Sequence, residues 1–203
     1  MSKRAGEDAK PRVLARALHH AAFDGWTART FRRAVADAGL SPAEADRLFP
    51  AGARDVLVFH MDTADRELAA ELGRRDLDAL SVRARVTLAV RLRLERAEPH
   101  REAVRRAFAY LSLPGNAALA ARGLHRTVDT IWRAVGDRST DFNHYTKRGL
   151  LAGVYLSSVL YWLGDESARR RATWAFLDRR IAEVMAIEKA RRRLDRLRAR
   201  APS

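Results

Sequence analysis

The chain has 203 residues, 47% of them hydrophobic, a composition that is sufficient for a sizeable core and excludes global disorder. The absence of cysteine excludes disulfides, thiolate catalysis and cysteine-ligated metal sites. A formal net charge of +14 predicts attraction to polyanions, either nucleic acid or an anionic bilayer, although a coding bias towards arginine explains the total equally well.

The sequence predicts neither a signal peptide nor a membrane-spanning helix. Residues 1–12 are polar, with Glu7 and Asp8 among the basic residues, and lack the apolar centre of a signal peptide. The longest uncharged run, Gly149–Gly164, is shorter than the ~20 apolar residues that cross a bilayer. We therefore expect a cytoplasmic protein that can lie peripherally on the inner face of the membrane.

The first part of the chain predicts three short helices after a flexible N-terminus of residues 1–11. Thr27 is suited to cap the second helix, and Gly39 supplies the left-handed turn that ends it. Ser41 and Glu44 have the spacing of a capping box at the start of the third helix. The helices expected here cover residues 12–22, 27–39 and 41–49.

The remainder of the chain also predicts helices. Ala, Leu, Arg and Glu dominate, and no stretch shows the sustained alternation of apolar and polar residues that is typical of a strand. Glycine and proline fall at the boundaries between segments. The expected helices cover about 53–79, 81–97, 101–113, 116–136, 140–164 and 167 onwards, with an arginine-rich tail from residue 188. The fold is therefore predicted to be all-α, with nine to ten helices.

The first 55 or so residues resemble the DNA-binding half of the TetR repressors. The resemblance rests on the three-helix order, the turn Ala38-Gly39-Leu40-Ser41 and the short helix before Phe49-Pro50. Asp46 and Leu48 stand where such recognition helices commonly have a tyrosine and a histidine that touch phosphates. Residues 37–50 contain three acids and one base, a net charge of −2, so binding of nucleic acid is disfavoured.

Five segments, in order along most of the chain, resemble the coenzyme Q (ubiquinone) biosynthesis protein nine family, whose fold is TetR-like. They are Phe23-Asp24-Gly25-Trp26, Leu48-Phe49-Pro50-Ala51-Gly52, Leu113-Pro114-Gly115-Asn116-Ala117-Ala118-Leu119, Asp141-Phe142-Asn143-His144-Tyr145-Thr146-Lys147-Arg148, and Asp165-Glu166-Ser167 leading to Thr173-Trp174-Ala175-Phe176-Leu177-Asp178-Arg179-Arg180-Ile181.

The resemblance implies a homodimer that binds an isoprenoid lipid or quinone precursor in an apolar pocket. It also implies contact with the di-iron ring hydroxylase of ubiquinone synthesis, to which the lipid is presented, and docking on an anionic membrane surface. On this basis the chain divides into a helix-turn-helix-like unit (12–52), a helical domain for lipid binding and dimerisation (53–186) and a basic amphipathic tail (187–203).

The apolar helix 149–163 is the centre of the predicted lipid site. A helix without a polar face is expected to be buried on every side, either as core, as a dimer interface or around a lipid cavity, and the sequence leaves these alternatives open. The residues expected to line the cavity are Phe108, Leu111, Ile131, Trp132, Leu151, Val154, Tyr155 and Trp162.

The resemblance also implies a patch that contacts the hydroxylase, at Asp141, Phe142, His144, Tyr145 and Arg148. His144 stands where many members of the family have tryptophan. An exposed aromatic side chain beside an arginine is suited to anchor an interface. The alternative is that Asp141 only caps a helix and Tyr145 packs inward.

The tail has the pattern of a basic helix lying on an anionic membrane. Ile187, Leu194 and Leu197 form a narrow apolar stripe, with Arg191 and Arg192 among the basic residues around it. Seven basic and two acidic residues give residues 187–203 a net charge of +5. The alternative is a solvated, charged chain end.

Nothing in the sequence indicates catalysis, a metal or a cofactor. The six histidines lack the spacing of metal ligands, and no phosphate-binding glycine loop or nucleophile elbow is present. We therefore expect a non-catalytic, lipid-binding accessory protein of ubiquinone biosynthesis. The alternative is a TetR-type transcriptional regulator with a small apolar ligand, and the acidic third helix argues against it.

Overall fold

The computed structural model describes the backbone of residues 3–136 and 142–198, and the side chains of residues 9–136 and 146–186. Its α-helices are α1 (Lys3–Asp24), α2 (Ala28–Asp37), α3 (Pro42–Leu48), α4 (Ala53–Gly73), α5 (Val82–Ala97), α6 (Arg101–Leu111), α7 (Ala117–Ala134), α8 (Phe142–Gly164) and α9 (Arg171–Arg198). Single 3-10 turns cover Glu98–His100, Pro114–Asn116 and Ala168–Arg170. The described residues form no strand, so the all-α prediction is confirmed.

The local signals of the N-terminal unit formed by α1, α2 and α3 act as predicted. The Thr27 hydroxyl accepts a hydrogen bond from the backbone of Thr30 at the start of α2. Gly39 adopts the left-handed conformation, with φ of +69°, in the turn after α2. The Ser41 and Glu44 side chains form the reciprocal capping box of α3. The chain therefore has the helix-turn-helix layout that its sequence indicates.

Two hydrophobic clusters divide the interior. One joins α1, α2 and α3 to the first turns of α4 and to α6, with Phe49 and Leu57 among its most buried members. The other joins α4, α5, α7, α8 and α9 around Leu68, Ile131 and Trp162. The Trp26 indole N–H donates to the carbonyl of Ala103 on α6 at 3.0 Å. The loop between α1 and α2 is thereby tied to the helices of the second half of the chain.

The structure differs from the sequence prediction at the starts of two helices. The first begins at Lys3, well before Arg12, and includes Pro11, whose missing N–H leaves one helical carbonyl without its donor. The last begins at Arg171, after a 3-10 turn, and its backbone runs to Arg198. Leu160 and Tyr161 on α8 are 59% and 38% exposed, so the single chain does not bury the apolar helix on every side, and burial in a dimer interface stays a prediction.

The C-terminal end of α8 is fixed by arginines from outside it. Arg101 donates to the carbonyls of Trp162, Leu163 and Asp165 at 2.7–3.0 Å, and Arg105 also donates to Leu163. These guanidinium groups satisfy carbonyls that the end of a helix leaves without intrahelical partners. Trp162 is thereby held where it packs between the helices of the second half of the chain.

Candidate functional site

A cavity of about 300 Å³ lies among α4, α5, α6, α7 and α8. This volume is at the lower end of the ~300–1,000 Å³ found for small-molecule pockets. Ser112, Ala120 and Ala121 lie at its rim, where Ser112 and Ala121 are exposed. The other lining residues are Leu57, His60, Met61, Arg93, Leu94, Ala97, Val104, Ala107, Phe108, Leu111, Leu124, Thr127, Tyr155, Leu156, Val159 and Trp162. The wall is therefore largely apolar, as a site for a hydrocarbon chain requires.

Four of the eight residues expected to line a lipid cavity do so in the structure, namely Phe108, Leu111, Tyr155 and Trp162. The other four do not. Ile131, Leu151 and Val154 are buried in the hydrophobic cluster beside the cavity, and Trp132 is partly buried, with its indole N–H donating to the Lys147 carbonyl at 3.2 Å. These four stabilise the second half of the fold instead of facing the cavity.

Sequence reasoning missed the wall that α4 and α5 contribute. Leu57, His60 and Met61 face the cavity from α4, and Arg93 and Leu94 face it from α5. In the sequence, His60 is a polar residue within an otherwise apolar stretch, whereas Arg93 alternates with Arg91 and Glu95 and has no such signal.

The His60 imidazole is held neutral by its surroundings. Its ring stacks on Trp26 with centroids 6.0 Å apart and the planes inclined by 20°. Burial, together with the positive charges of Arg93 and His100, lowers the pKa of His60 to about 4. At neutral pH this side chain therefore offers one hydrogen-bond donor and one acceptor, without a charge.

A buried cluster centred on Asp65 lies behind the cavity wall. The Asp65 carboxylate accepts from the Thr127 hydroxyl at 2.9 and 3.1 Å, from Arg126 at 3.0 Å and from Arg93 at 3.5 Å. Asp62 is a second anionic partner of Arg126. Burial raises the pKa of Asp65, while Arg93 and Thr127 act in the opposite direction. Two carboxylates thus face two guanidinium groups, and the cluster has no net charge.

The predicted patch for the hydroxylase lies mostly outside the described residues. Asp141 is not described, and neither are the side chains of Phe142, His144 and Tyr145, although α8 begins at Phe142. Arg148 is described and is buried, with its guanidinium donating to Asp129 on α7 at 2.8 and 3.0 Å. This residue holds the start of α8 against α7, so its own contact with a partner would require this pair to open.

The predicted membrane-binding residues also lie outside the described side chains. These are Ile187, Arg191, Arg192, Leu194 and Leu197, all within the backbone span of α9. In the part of the chain that the structure describes, no helix is long and apolar enough to cross a bilayer. Among those same residues, no three acids or histidines are grouped so that they could hold a metal ion.

The surface of α3 retains the acidic character seen in the sequence. The Glu44 carboxylate accepts from the Ser41 backbone at 2.9 Å and from its hydroxyl at 2.7 Å, and these bonds lower the pKa of Glu44. Asp46 is exposed. The capping box therefore explains one carboxylate, while the other remains on the face that a DNA phosphate would approach.

Comparison with known proteins identifies relatives over most of the chain. The sequence model of the COQ9 family matches residues 117–188. The mitochondrial ubiquinone biosynthesis protein COQ9 of Rattus norvegicus is 33% identical over 188 residues, which are 88% of this chain and 59% of the rat protein. The human COQ9 protein is 31% identical over 187 residues, covering 88% of this chain and 58% of the human one.

A probable mitochondrial COQ9 protein of Dictyostelium discoideum is 30% identical over 182 residues, 87% of this chain. This chain spans about 59% of the length of that relative. Among solved structures, a TetR transcriptional regulator from Nitrosomonas europaea superposes with a TM-score of 0.71 at 20% identity. The superposition covers 86% of this chain and 96% of the regulator, and at this identity it shows the fold alone. The chain thus has a TetR-like fold, and over most of its length its sequence is similar to COQ9 ubiquinone biosynthesis proteins.

Proposed function

We propose that this protein is a non-catalytic lipid carrier of ubiquinone biosynthesis. It binds isoprenoid quinone intermediates in the cavity among α4 to α8 and presents them to the ring hydroxylase. The observation that supports this proposal most directly is the apolar cavity, because its wall accommodates a hydrocarbon chain and its rim at Ser112 and Ala121 is exposed. The names of the relatives, ubiquinone biosynthesis proteins, support the choice of pathway.

The carrier works as a homodimer on the inner face of a membrane. Leu160 and Tyr161 give α8 an exposed apolar face, and Tyr161 stacks on Phe176 of α9 at 4.4 Å, so the two helices offer one continuous surface to a second copy. The basic end of α9 supplies the attraction to anionic lipid. Residues 141–148, at the start of α8, contact the hydroxylase.

The first experiment is native mass spectrometry of the purified protein, followed by organic extraction and identification of the lipid. We expect an isoprenoid or phospholipid at a defined stoichiometry. Leu124→Trp places a large ring in the cavity wall and is expected to abolish this cargo, whereas Val82→Trp, at an exposed position away from the cavity, retains it. A purified protein that carries no lipid and does not bind anionic liposomes would refute the proposal.

Regulation of transcription is the competing function, and the TetR-like fold is the observation in its favour. The exposed carboxylate of Asp46 and the net charge of residues 37–50 oppose phosphate contacts. A DNA selection assay in moderate salt separates the two functions. Enrichment of a defined sequence would favour the regulator, and absence of enrichment the carrier.

A further inference from the structure

The largely apolar wall of the cavity contains a few polar side chains. Two of the hydroxyl groups in the wall are already engaged, since Ser112 donates to the Ala109 carbonyl at 2.9 Å and Thr127 donates to Asp65 at 2.9 Å. Three larger polar side chains remain, His60, Arg93 and Tyr155, and they come from three different helices.

These three side chains have unused hydrogen-bonding atoms. Among the described residues, neither the His60 imidazole nor the Tyr155 hydroxyl has a hydrogen-bond partner, and Arg93 donates only through Nε, at 3.5 Å to Asp65. None of these unpartnered polar atoms is fully enclosed, and all three residues line the cavity. Such atoms are stabilised when a ligand oxygen or a water reaches them, and a hydrocarbon chain leaves them without a partner.

The depth of the Arg93 guanidinium follows from α7. Ala121 lies at the rim, and Thr127 lies six residues further along the helix, a rise of about 9 Å. The hydroxyl of Thr127 and the Nε of Arg93 both bind Asp65, so the guanidinium of Arg93 lies at the level of Thr127. A ligand that enters at the rim and reaches the Arg93 guanidinium therefore extends about 9 Å along α7, and His60 and Tyr155 are close enough to Arg93 to sense its charge.

The charges favour the oxygens of a neutral ring over a phosphate. Arg93 shares the Asp65 carboxylate with Arg126, which in turn contacts Asp62, and the four charges cancel. His60 adds no charge at neutral pH. A site of this kind donates to carbonyl and hydroxyl oxygens, while a phosphate would lack the surplus of positive charge that it needs.

We propose that His60, Arg93 and Tyr155 bind the oxygen-bearing ring of a quinone or phenol, so that the ligand enters ring first and its isoprenoid chain points to the rim at Ser112 and Ala121. This inference rests on the proposed carrier function and specifies the orientation of the cargo. A cavity of about 300 Å³ holds the ring and the start of the chain, and the rest of a long chain leaves through the rim. The ring stays inside the protein until the hydroxylase draws it out.

The test uses the full chain and three probes that share a geranyl chain: a geranylated benzoquinone, geranylbenzene without ring oxygens, and geranyl phosphate. Isothermal calorimetry measures each dissociation constant. Tyr155→Phe removes one hydroxyl that has no partner among the described residues, so the fold should be retained. We expect about 3- to 10-fold weaker binding of the benzoquinone and unchanged binding of geranylbenzene.

Two further variants make the result specific. His60→Phe keeps an aromatic ring against Trp26 and should weaken binding of the benzoquinone to a similar extent. Tyr110→Phe is the matched control, because Tyr110 lies on α6 and does not line the cavity, so this variant should bind all three probes as the wild-type protein does.

Each outcome decides between the proposals. If the wild-type protein binds the benzoquinone and geranylbenzene with equal affinity, and Tyr155→Phe changes neither affinity, the cavity binds the hydrocarbon chain without recognising the ring. This result would refute the proposed orientation and leave the carrier function supported. Preferred binding of geranyl phosphate would likewise overturn the ring site. Binding of none of the three probes would overturn both proposals.

Discussion

The buried histidine of the cavity makes the stability of this protein sensitive to mild acid. Burial lowers the pKa of His60 from 6.5 to about 4 in the folded protein. Between these two values the unfolded chain binds a proton that the folded protein does not, so the free energy of unfolding decreases as the pH falls through this window. Above pH 6.5 the imidazole is neutral in both states, and this loss of stability is absent.

The size of the effect follows from the two pKa values. At pH 5 the imidazole is almost fully protonated in the unfolded chain and almost fully neutral in the folded protein. The free energy of unfolding is therefore lower by about 2 kcal/mol, at about 1.4 kcal/mol for each pH unit below 6.5. His60→Phe preserves a ring against Trp26 and removes the titrating group, so it should lack this loss.

The assay is urea unfolding followed by circular dichroism at pH 7.5 and pH 5.0. All other titrating groups are common to the wild-type and His60→Phe proteins. The difference between the two proteins in the free energy of unfolding lost from pH 7.5 to pH 5.0 therefore reports on His60 alone. We expect the wild-type protein to lose about 2 kcal/mol more than the variant. An equal loss in both proteins would refute the assignment of a neutral, buried imidazole.

Two further predictions concern the charge cluster and the exposed face of α8. Asp65→Asn leaves Arg93 without its anionic partner and Arg126 with Asp62 alone. It should lower the free energy of unfolding by ~3–5 kcal/mol in urea, as for other broken buried ion pairs, while the exposed Asp178→Asn should change it little. If the exposed face of α8 forms the proposed dimer, Leu160→Glu should be a monomer in light scattering with unchanged helicity, and Leu113→Glu, at a similarly exposed apolar position elsewhere, should leave the dimer intact. A destabilised Asp178→Asn, or a dimeric Leu160→Glu, would contradict these expectations.

The features that the sequence predicts well are those determined by neighbours in the chain. The capping box at Ser41 and Glu44 and the left-handed turn at Gly39 depend on residues no more than a few positions apart, and both occur in the structure. The start of the first helix is predicted less well. The sequence indicates a start at residue 12, whereas α1 begins at Lys3 and contains Pro11, with the loss of one backbone hydrogen bond.

The cavity could be predicted only in part, because its shape depends on how five helices pack. Hydrophobicity predicts that α6 and α8 are buried, and therefore that Phe108 and Tyr155 lie in the interior. It does not distinguish an apolar side chain that lines a cavity from one that packs against another helix. Ile131 is as apolar as Phe108 and fills the core instead. The ion pair between Arg93 and Asp65 joins residues 28 positions apart, so the local sequence does not predict it.

A test of the basic tail must separate the charge of the tail from the charge of the rest of the surface. The net charge of +14 alone attracts the protein to an anionic bilayer, so liposome binding by the wild-type protein does not identify the surface responsible. Arg191→Gln with Arg192→Gln and Arg74→Gln with Arg75→Gln remove the same charge at two different places. Arg74 and Arg75 follow α4, and Arg191 and Arg192 lie in the last turns of α9.

If the end of α9 docks on the membrane, its double variant should bind liposomes containing anionic lipid about 30-fold more weakly, since each basic residue near the surface contributes ~1 kcal/mol. The variant at residues 74 and 75 should bind almost as well as the wild-type protein in the same co-sedimentation assay. Equal weakening of the two would mean that the total charge, distributed over the surface, is what the membrane attracts. The tail would then have no special role, and the composition of the chain would explain the binding without it.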